Sequence, residues 1–291
     1  MAHPVAERVY ELRSERRHGA SWMARRAVET LVEVAKEAEA DTTEALYEEL
    51  LEGGRGLALA RPEVGAITGA LGRVLAAGRR NLHLDASEFR RLVEEEACAL
   101  IAARDRAAAS IAIQLRRRLT DGVVLTHSAS ATVREALLYA QPREVVCTVS
   151  APNEEGRAFA DELREAELSV ELVGDEEAPA ALERCSLLLL GADTVFRDGT
   201  FANKIGTRRL AEAASKSRIA TVVAAEVIKL APVDGAEAPE LEGEAADLFE
   251  LTPATYVEEV VTEEGTFRPD EIASLVQRVP FLDEGYALIR R

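Results

Sequence analysis

A chain of 291 residues with 47% apolar and 30% charged residues buries a substantial core and is expected to divide into two domains. That balance excludes a disordered polar segment. There is no apolar run of about 18 residues and no basic-apolar-small leader, so a cytoplasmic protein without membrane contact is expected. The net charge of −17, from 52 acidic and 35 basic residues, argues against nonspecific attraction to nucleic acid, and no direct nucleic-acid binding is expected.

In chain order, residues 4–119 read as helices throughout. Ala24, Ala27, Val28, Leu31, Val34 and Ala35 recur at helical spacing after Ser21, which suits an N-cap. A second amphipathic stretch covers residues 64–75, and residues 86–118 hold one or two long helices. Between them, Gly53-Gly54-Arg55-Gly56 reads as a flexible connection. It is no phosphate loop, because it lacks a preceding strand and the Lys-Ser/Thr pair.

At Asp121-Gly122 the pattern changes. Apolar runs of strand length (123–126, 144–149, 170–173, 187–190, 219–225) alternate with helical stretches (131–140, 155–166, 178–184, 204–217). Single helices between strands indicate βαβ units and a parallel sheet. Residues 234–250 read as an acidic loop, with a final strand over 256–262 and a helix over 270–276. The fold class is therefore α/β: a helical N-terminal domain (1–119) followed by a Rossmann-like parallel-sheet domain (120–291).

Cys98, Cys147 and Cys185 lie far apart, each within an apolar pattern, and read as reduced buried thiols. Neither a disulfide framework nor a metal site is expected. Lysine stands only at Lys36, Lys204, Lys216 and Lys229. An acidic, arginine-rich and lysine-poor balance fits the high-salt cytoplasm of a halophilic archaeon, where dense carboxylates keep the surface hydrated and salt screens their repulsion.

The stretch 186–209, SLLLLGADTVFRDGTFANKIGTRR, concentrates the chemistry. Four leucines suit a strand buried on both faces, and Asp193 follows at the carboxyl edge, where open α/β sheets bind ligands. A turn at Asp198-Gly199 leads to Asn203-Lys204-Ile205-Gly206-Thr207, read as the start of a helix. An amide, a cation and free helix N–H groups near a carboxylate suit a phosphorylated, hydroxylated ligand. Taken singly, an aspartate after a strand is usually a turn residue and an Asn-Lys pair is usually solvated.

The whole string, GAD, nine residues, then NKIGT, closely resembles the signature of one family. That family unites translation initiation factor 2B alpha, beta and delta subunits with two sugar-phosphate isomerases, which act on methylthioribose 1-phosphate and ribose 1,5-bisphosphate. The resemblance extends over most of the chain. Arg17-His18-Gly19-Ala20-Ser21 is similar to the family's N-terminal segment, whose backbone N–H groups contact the ligand phosphate. Ala60-Arg61-Pro62 resembles its Arg-Pro motif, and Lys229 falls where the isomerases set a lysine against phosphate. The loop 125–130 leads to Ser130-Ala131-Thr132 at a helix start, and residues 251–269 resemble the C-terminal segment.

The departures weigh as much. Where the isomerases carry a cysteine that works with the aspartate of GAD, this chain has Ser128. A hydroxyl lies far above the range in which a tuned thiol moves protons. Ala151 stands at an arginine position, beside Glu154 and Glu155; His18 replaces an arginine; Glu63 follows Arg61-Pro62 where a small hydroxyl residue is usual. The resemblance thus implies a non-catalytic, translation initiation factor 2B-like regulator. It would bind a sugar phosphate or nucleoside monophosphate between its domains, through His18, Gly19, Ala20, Ser21, Arg61, Ser130, Ala131, Thr132, Asn203, Lys204 and Lys229. It would form a homodimer or larger homo-oligomer and meet a translation-factor partner. The alternative is a ribose-1,5-bisphosphate isomerase-like aldose–ketose isomerase using Asp193, with Ser128 or a water completing the proton path. No cofactor is expected; a nicotinamide-dependent dehydrogenase is disfavoured, since no G-x-G-x-x-G follows the first strand.

Overall fold

The computed structural model describes residues 4–16 and 18–290, with Glu244 described by its backbone. The helices α1 (Pro4–Ser14), α2 (Ala20–Glu37), α3 (Thr43–Ala58), α4 (Gly65–Arg80) and α5 (Ala86–Leu119) come first. Then follow β1 (Val123–Thr126), α6 (Ala131–Ala140), β2 (Glu144–Thr148), α7 (Glu155–Glu165), β3 (Val170–Val173), α8 (Ala178–Leu182) and β4 (Leu187–Gly191). Next are β5 (Thr194–Phe196), β6 (Phe201–Lys204), α9 (Thr207–Ser217), β7 (Ala220–Ala224) and β8 (Leu230–Ala231). The chain ends with α10 (Glu244–Leu248), β9 (Phe249–Thr252), β10 (Glu259–Thr262), β11 (Gly265–Phe267), α11 (Ile272–Gln277) and α12 (Pro280–Ile289).

These elements form two compact units. The first holds the residues up to Asp105 together with Ile228–Pro232 and the residues from Leu275 on; the second holds Arg106–Val227 and Val233–Ser274.

In the first unit, Leu31, Leu46, Leu50, Leu57, Ile67, Leu71, Leu75 and Phe89 are fully buried around α4. The C-terminal helix α12 packs on α4 and α3, and Arg55 Nε donates to the Leu288 carbonyl at 3.0 Å. Two expectations are corrected. Gly53 to Gly56 is no connection: these residues continue α3, because a Cβ on Gly54 would lie 2.8 Å from Leu75 Cδ1. Helix packing needs that close approach, and it outweighs the low helix propensity of glycine. Ser21 is not a cap; α2 begins at Ala20, with Gly19 as its N-cap. The start of α3 is capped by Thr42, whose side chain accepts from Ala45 N at 3.2 Å. Thr42→Ala should therefore lower stability in urea unfolding by about 1 kcal/mol. An unchanged midpoint would show that this hydrogen bond contributes nothing.

The second unit is built on a seven-stranded sheet in the order β11-β10-β7-β4-β1-β2-β3. Every pairing is parallel except β10 with β11. All five residues of β4 are buried, as a run of leucines covered on both faces requires. Beneath the sheet, Ile111, Leu115, Val124, Leu137, Val145, Leu163 and Leu189 form one core. Two short antiparallel pairings, β5 with β6 and β6 with β9, extend from the end of β4. They correct the reading of Asn203 and Lys204 as a helix start: both lie in β6, and α9 begins only at Thr207, after Gly206 at φ +98°. The acidic stretch 234–250 contains α10 and the start of β9, so it is not wholly a loop. Among the described residues, no helix is long and apolar enough to cross a membrane.

Candidate functional site

The carboxyl ends of β1, β2 and β4 deliver the candidate residues of the second unit. Parallel pairing sets β1 between β4 and β2, so Ser128, Ser150 and Asp193 leave neighbouring strands at one edge. Asp193 is half-buried, with its backbone N–H bonded to the Ala202 carbonyl at 3.0 Å. Ser128 adopts a left-handed conformation at φ +66°. Its hydroxyl donates to Glu155 Oε1 at 2.7 Å. The other oxygen of that carboxylate, Oε2, accepts from Lys204 Nζ at 3.0 Å. Lys204 is only 4% exposed, so this is a largely desolvated ion pair. Asn203 is buried beside it and donates to Thr207 Oγ1 at 3.1 Å.

Behind these residues runs a directed chain of hydrogen bonds. Ser128 N–H donates to Ser150 Oγ at 2.8 Å, and Ser150 Oγ lies 2.8 Å from Thr148 Oγ1. His127 Nε2 sits 2.8 Å from the Ile205 carbonyl, so it carries the proton and donates. Nδ1 then accepts from Thr148 Oγ1 at 2.7 Å, which fixes the direction of the whole chain. Burial pushes the His127 pKa down, and the neutral ring ties β1 and β2 to the turn before α9. With both nitrogens engaged, His127 is a structural connector rather than a general base.

Carboxylates close the other donors at this edge. Asp175 accepts from Ser150 N and Ala151 N, each at 2.7 Å. Glu250 Oε1 accepts from Gly206 N at 2.7 Å and Arg208 N at 2.9 Å, so the start of α9 is occupied rather than open, contrary to expectation. At α6, Ser130 is the N-cap and accepts from Val133 N at 3.3 Å. Thr132 is fully buried and donates to Glu226 Oε1 at 2.8 Å. Among the described residues nothing accepts from the N–H groups of Ala131 and Thr132. The missing thiol is not replaced: burial raises Cys147 to about 12 and Cys185 to about 11. Cys98, expected to be buried, is exposed.

In the first unit, Arg61 is buried, with its Nε paired to Glu63 and NH1 3.3 Å from the carbonyls of Leu12 and Glu15. Glu63 thus neutralises a guanidinium that a phosphate would otherwise pair with. His18 is exposed, stacked on Trp22 at 4.3 Å, with Nδ1 2.9 Å from Glu15 Oε2. Gly19 accepts from Trp22 N at 3.1 Å, Ala20 is buried, Ser21 lies in the first turn of α2, and Arg17 lies outside the described residues. Lys229 is buried at the end of the turn Val227–Lys229. Among the described residues no cluster of histidine, cysteine and carboxylate side chains is placed to hold a metal.

A match to the initiation factor 2 subunit family covers residues 16–249. The chain belongs to that family. It is 32% identical to the putative translation initiation factor eIF-2B subunit 2-like protein of Pyrococcus horikoshii, over 91% of this chain and 96% of the relative. It is also 31% identical to the ribose 1,5-bisphosphate isomerase of Haloferax volcanii, over 95% and 93% of the two chains. The solved Pyrococcus horikoshii OT3 translation initiation factor eIF-2B superposes with a TM-score of 0.80 at 26% identity, covering 92% of this chain and 98% of that one. The family therefore holds both factor-like and isomerase relatives of this chain.

Sequence reasoning missed what Glu155, Glu250, Asp175 and His127 do. Glu154 and Glu155 stand out as carboxylates beside a lost arginine, yet only the fold shows Glu155 on both Ser128 and Lys204.

Proposed function

We propose that this family member is a translation initiation factor 2B-like regulator that binds a sugar phosphate or nucleoside monophosphate and does not turn it over. The observation that carries the reading is the Glu155 carboxylate held by Ser128 at 2.7 Å and Lys204 at 3.0 Å. An aldose–ketose isomerisation removes a proton at one carbon and delivers it at the next, which needs groups tuned near working pH. Here a hydroxyl stands at the thiol position and already donates to a carboxylate. The cation beside it is neutralised. The similarity to the Pyrococcus subunit 2-like protein supports the factor-like side, and the similarity to the Haloferax isomerase supports a phosphorylated ribose as the ligand class. The ligand phosphate is assigned to the start of α6, where Ser130, Ala131 and Thr132 open a helix of 10 residues.

Ribose 5-phosphate or adenosine monophosphate at about 100 times its dissociation constant should stabilise the fold by about 2.7 kcal/mol in thermal unfolding. Turnover of ribose 1,5-bisphosphate and methylthioribose 1-phosphate should stay at background. Robust turnover that Asp193→Asn abolishes would establish the isomerase instead.

A further inference from the structure

We infer that Glu155 is the specificity determinant of this site, admitting ligands with one phosphate and excluding those that bring a second anionic group to Lys204. The inference rests on the ligand reading above and narrows it. Both oxygens of Glu155 are engaged, Oε1 with Ser128 and Oε2 with Lys204. A phosphate reaching Lys204 must displace its charge-assisted hydrogen bond to Glu155 and then lie beside a carboxylate that Ser128 also holds, where Lys204 is 4% exposed and screening is weak.

The neighbouring donors offer no detour. Glu250 holds Gly206 N and Arg208 N at the start of α9, and Asp175 holds Ser150 N and Ala151 N. Three intramolecular carboxylates thus occupy the donors that a second phosphate would otherwise find between β2 and α9. The start of α6 differs, since the N–H groups of Ala131 and Thr132 have no acceptor among the described residues. Selectivity of this kind comes from a built-in repulsive group rather than an added attraction. Among the described residues Glu155 is the carboxylate paired with the buried Lys204, so its charge decides whether a second anion enters there.

The experiment compares ribose 5-phosphate, ribose 1,5-bisphosphate and inorganic phosphate as ligands of the full chain by calorimetric titration and thermal shift. The parent should bind the monophosphate better than the bisphosphate. Glu155→Gln should move that ratio toward the bisphosphate by at least about tenfold, the worth of one charge-assisted hydrogen bond. It should also gain stabilisation by inorganic phosphate. Both gains should vanish in the Glu155→Gln/Lys204→Met double variant. An unchanged ratio in folded Glu155→Gln, or a gain that survives loss of Lys204, overturns the inference. If Glu155→Gln does not fold, Ser128→Ala removes one of the two holds on the carboxylate and should move the ratio the same way by about threefold; no movement overturns it. A parent that binds neither sugar, with Glu155→Gln still gaining Lys204-dependent phosphate binding, would sink the regulatory ligand reading and leave the role of Glu155 standing. A parent that binds the monophosphate with a ratio indifferent to Glu155 would do the reverse.

Discussion

Gly156→Ala should destabilise the protein by at least about 3 kcal/mol, the upper end of the usual cost of overpacking. A Cβ at this position would lie 1.8 Å from the Thr148 carbonyl oxygen and 3.0 Å from that of Val149. Both are backbone atoms at the end of β2, so no side chain can swing away. Gly156 N–H itself donates to the Val149 carbonyl at 3.1 Å, which fixes the first turn of α7 against the strand. The added methyl must push α7 outward, and Glu155 moves with it. Denaturant unfolding should show the loss in its midpoint. Arg157→Ala, one residue on, supplies the control: it removes only an exposed pair with Glu154 and should cost less than about 1 kcal/mol. If the two variants unfold alike, α7 does not approach β2 as closely as the structure has it.

The parallel sheet was legible because burial on both faces leaves a strong mark: short apolar runs such as Leu187–Leu190, each followed by one amphipathic helix. The small strands were not. β5 and β6 span 3 and 4 residues, and Asn203-Lys204 runs directly into the periodic pattern of α9. Only the positive φ of Gly206 separates them, and a lone glycine near a helix start carries no fixed meaning in sequence. The paired glycines of α3 misled for the opposite reason, because their causes lie on other helices: Val5 of α1 beside Gly53 and Leu75 of α4 beside Gly54.

Within the site, the leucine run put Asp193 at the carboxyl edge of the sheet, whereas Asn203 and Lys204, read as a helix start, lie in β6, and Ser128 was singled out by the family resemblance. What decides the chemistry lies in long-range pairs. Glu155 is 27 residues from Ser128 and 49 from Lys204, and Glu250 is 44 from Gly206. In a chain with 52 acidic residues nothing local distinguishes Glu250 or Asp175 from the solvated majority, and Glu155 stood out only as a carboxylate beside a lost arginine, not by its partners. The carboxylates that occupy the donor groups became recognisable only once the fold brought them there.

The buried ring of His127 leads to an acid-sensitive site. Its folded-state pKa lies below the ordinary value of 6.5, first because of burial, while the Ile205 carbonyl and the charges of Asp175 and Glu155 pull it upward and Lys204 opposes them. A histidine depressed on folding binds protons more readily when unfolded. Its stabilising contribution is therefore fully present above pH 6.5 and declines as the pH falls below it, until the folded-state value is reached. The slope should approach about 1.4 kcal/mol per pH unit in that window. Glu263 works in the opposite sense, since burial and the Glu226 charge raise its pKa and its contribution is lost as pH rises. The two are separated by subtracting the curve of a His127→Asn variant. At pH 7.5 that variant should be less stable by roughly 2 kcal/mol, because the Thr148–Ser150 chain loses its terminal acceptor and the Ile205 carbonyl its donor. As the pH falls toward 5, the parent should lose its advantage while the variant changes less. Parallel curves across that range would mean that His127 stays solvated enough to titrate normally, and the directed chain behind Ser128 would have to be redrawn.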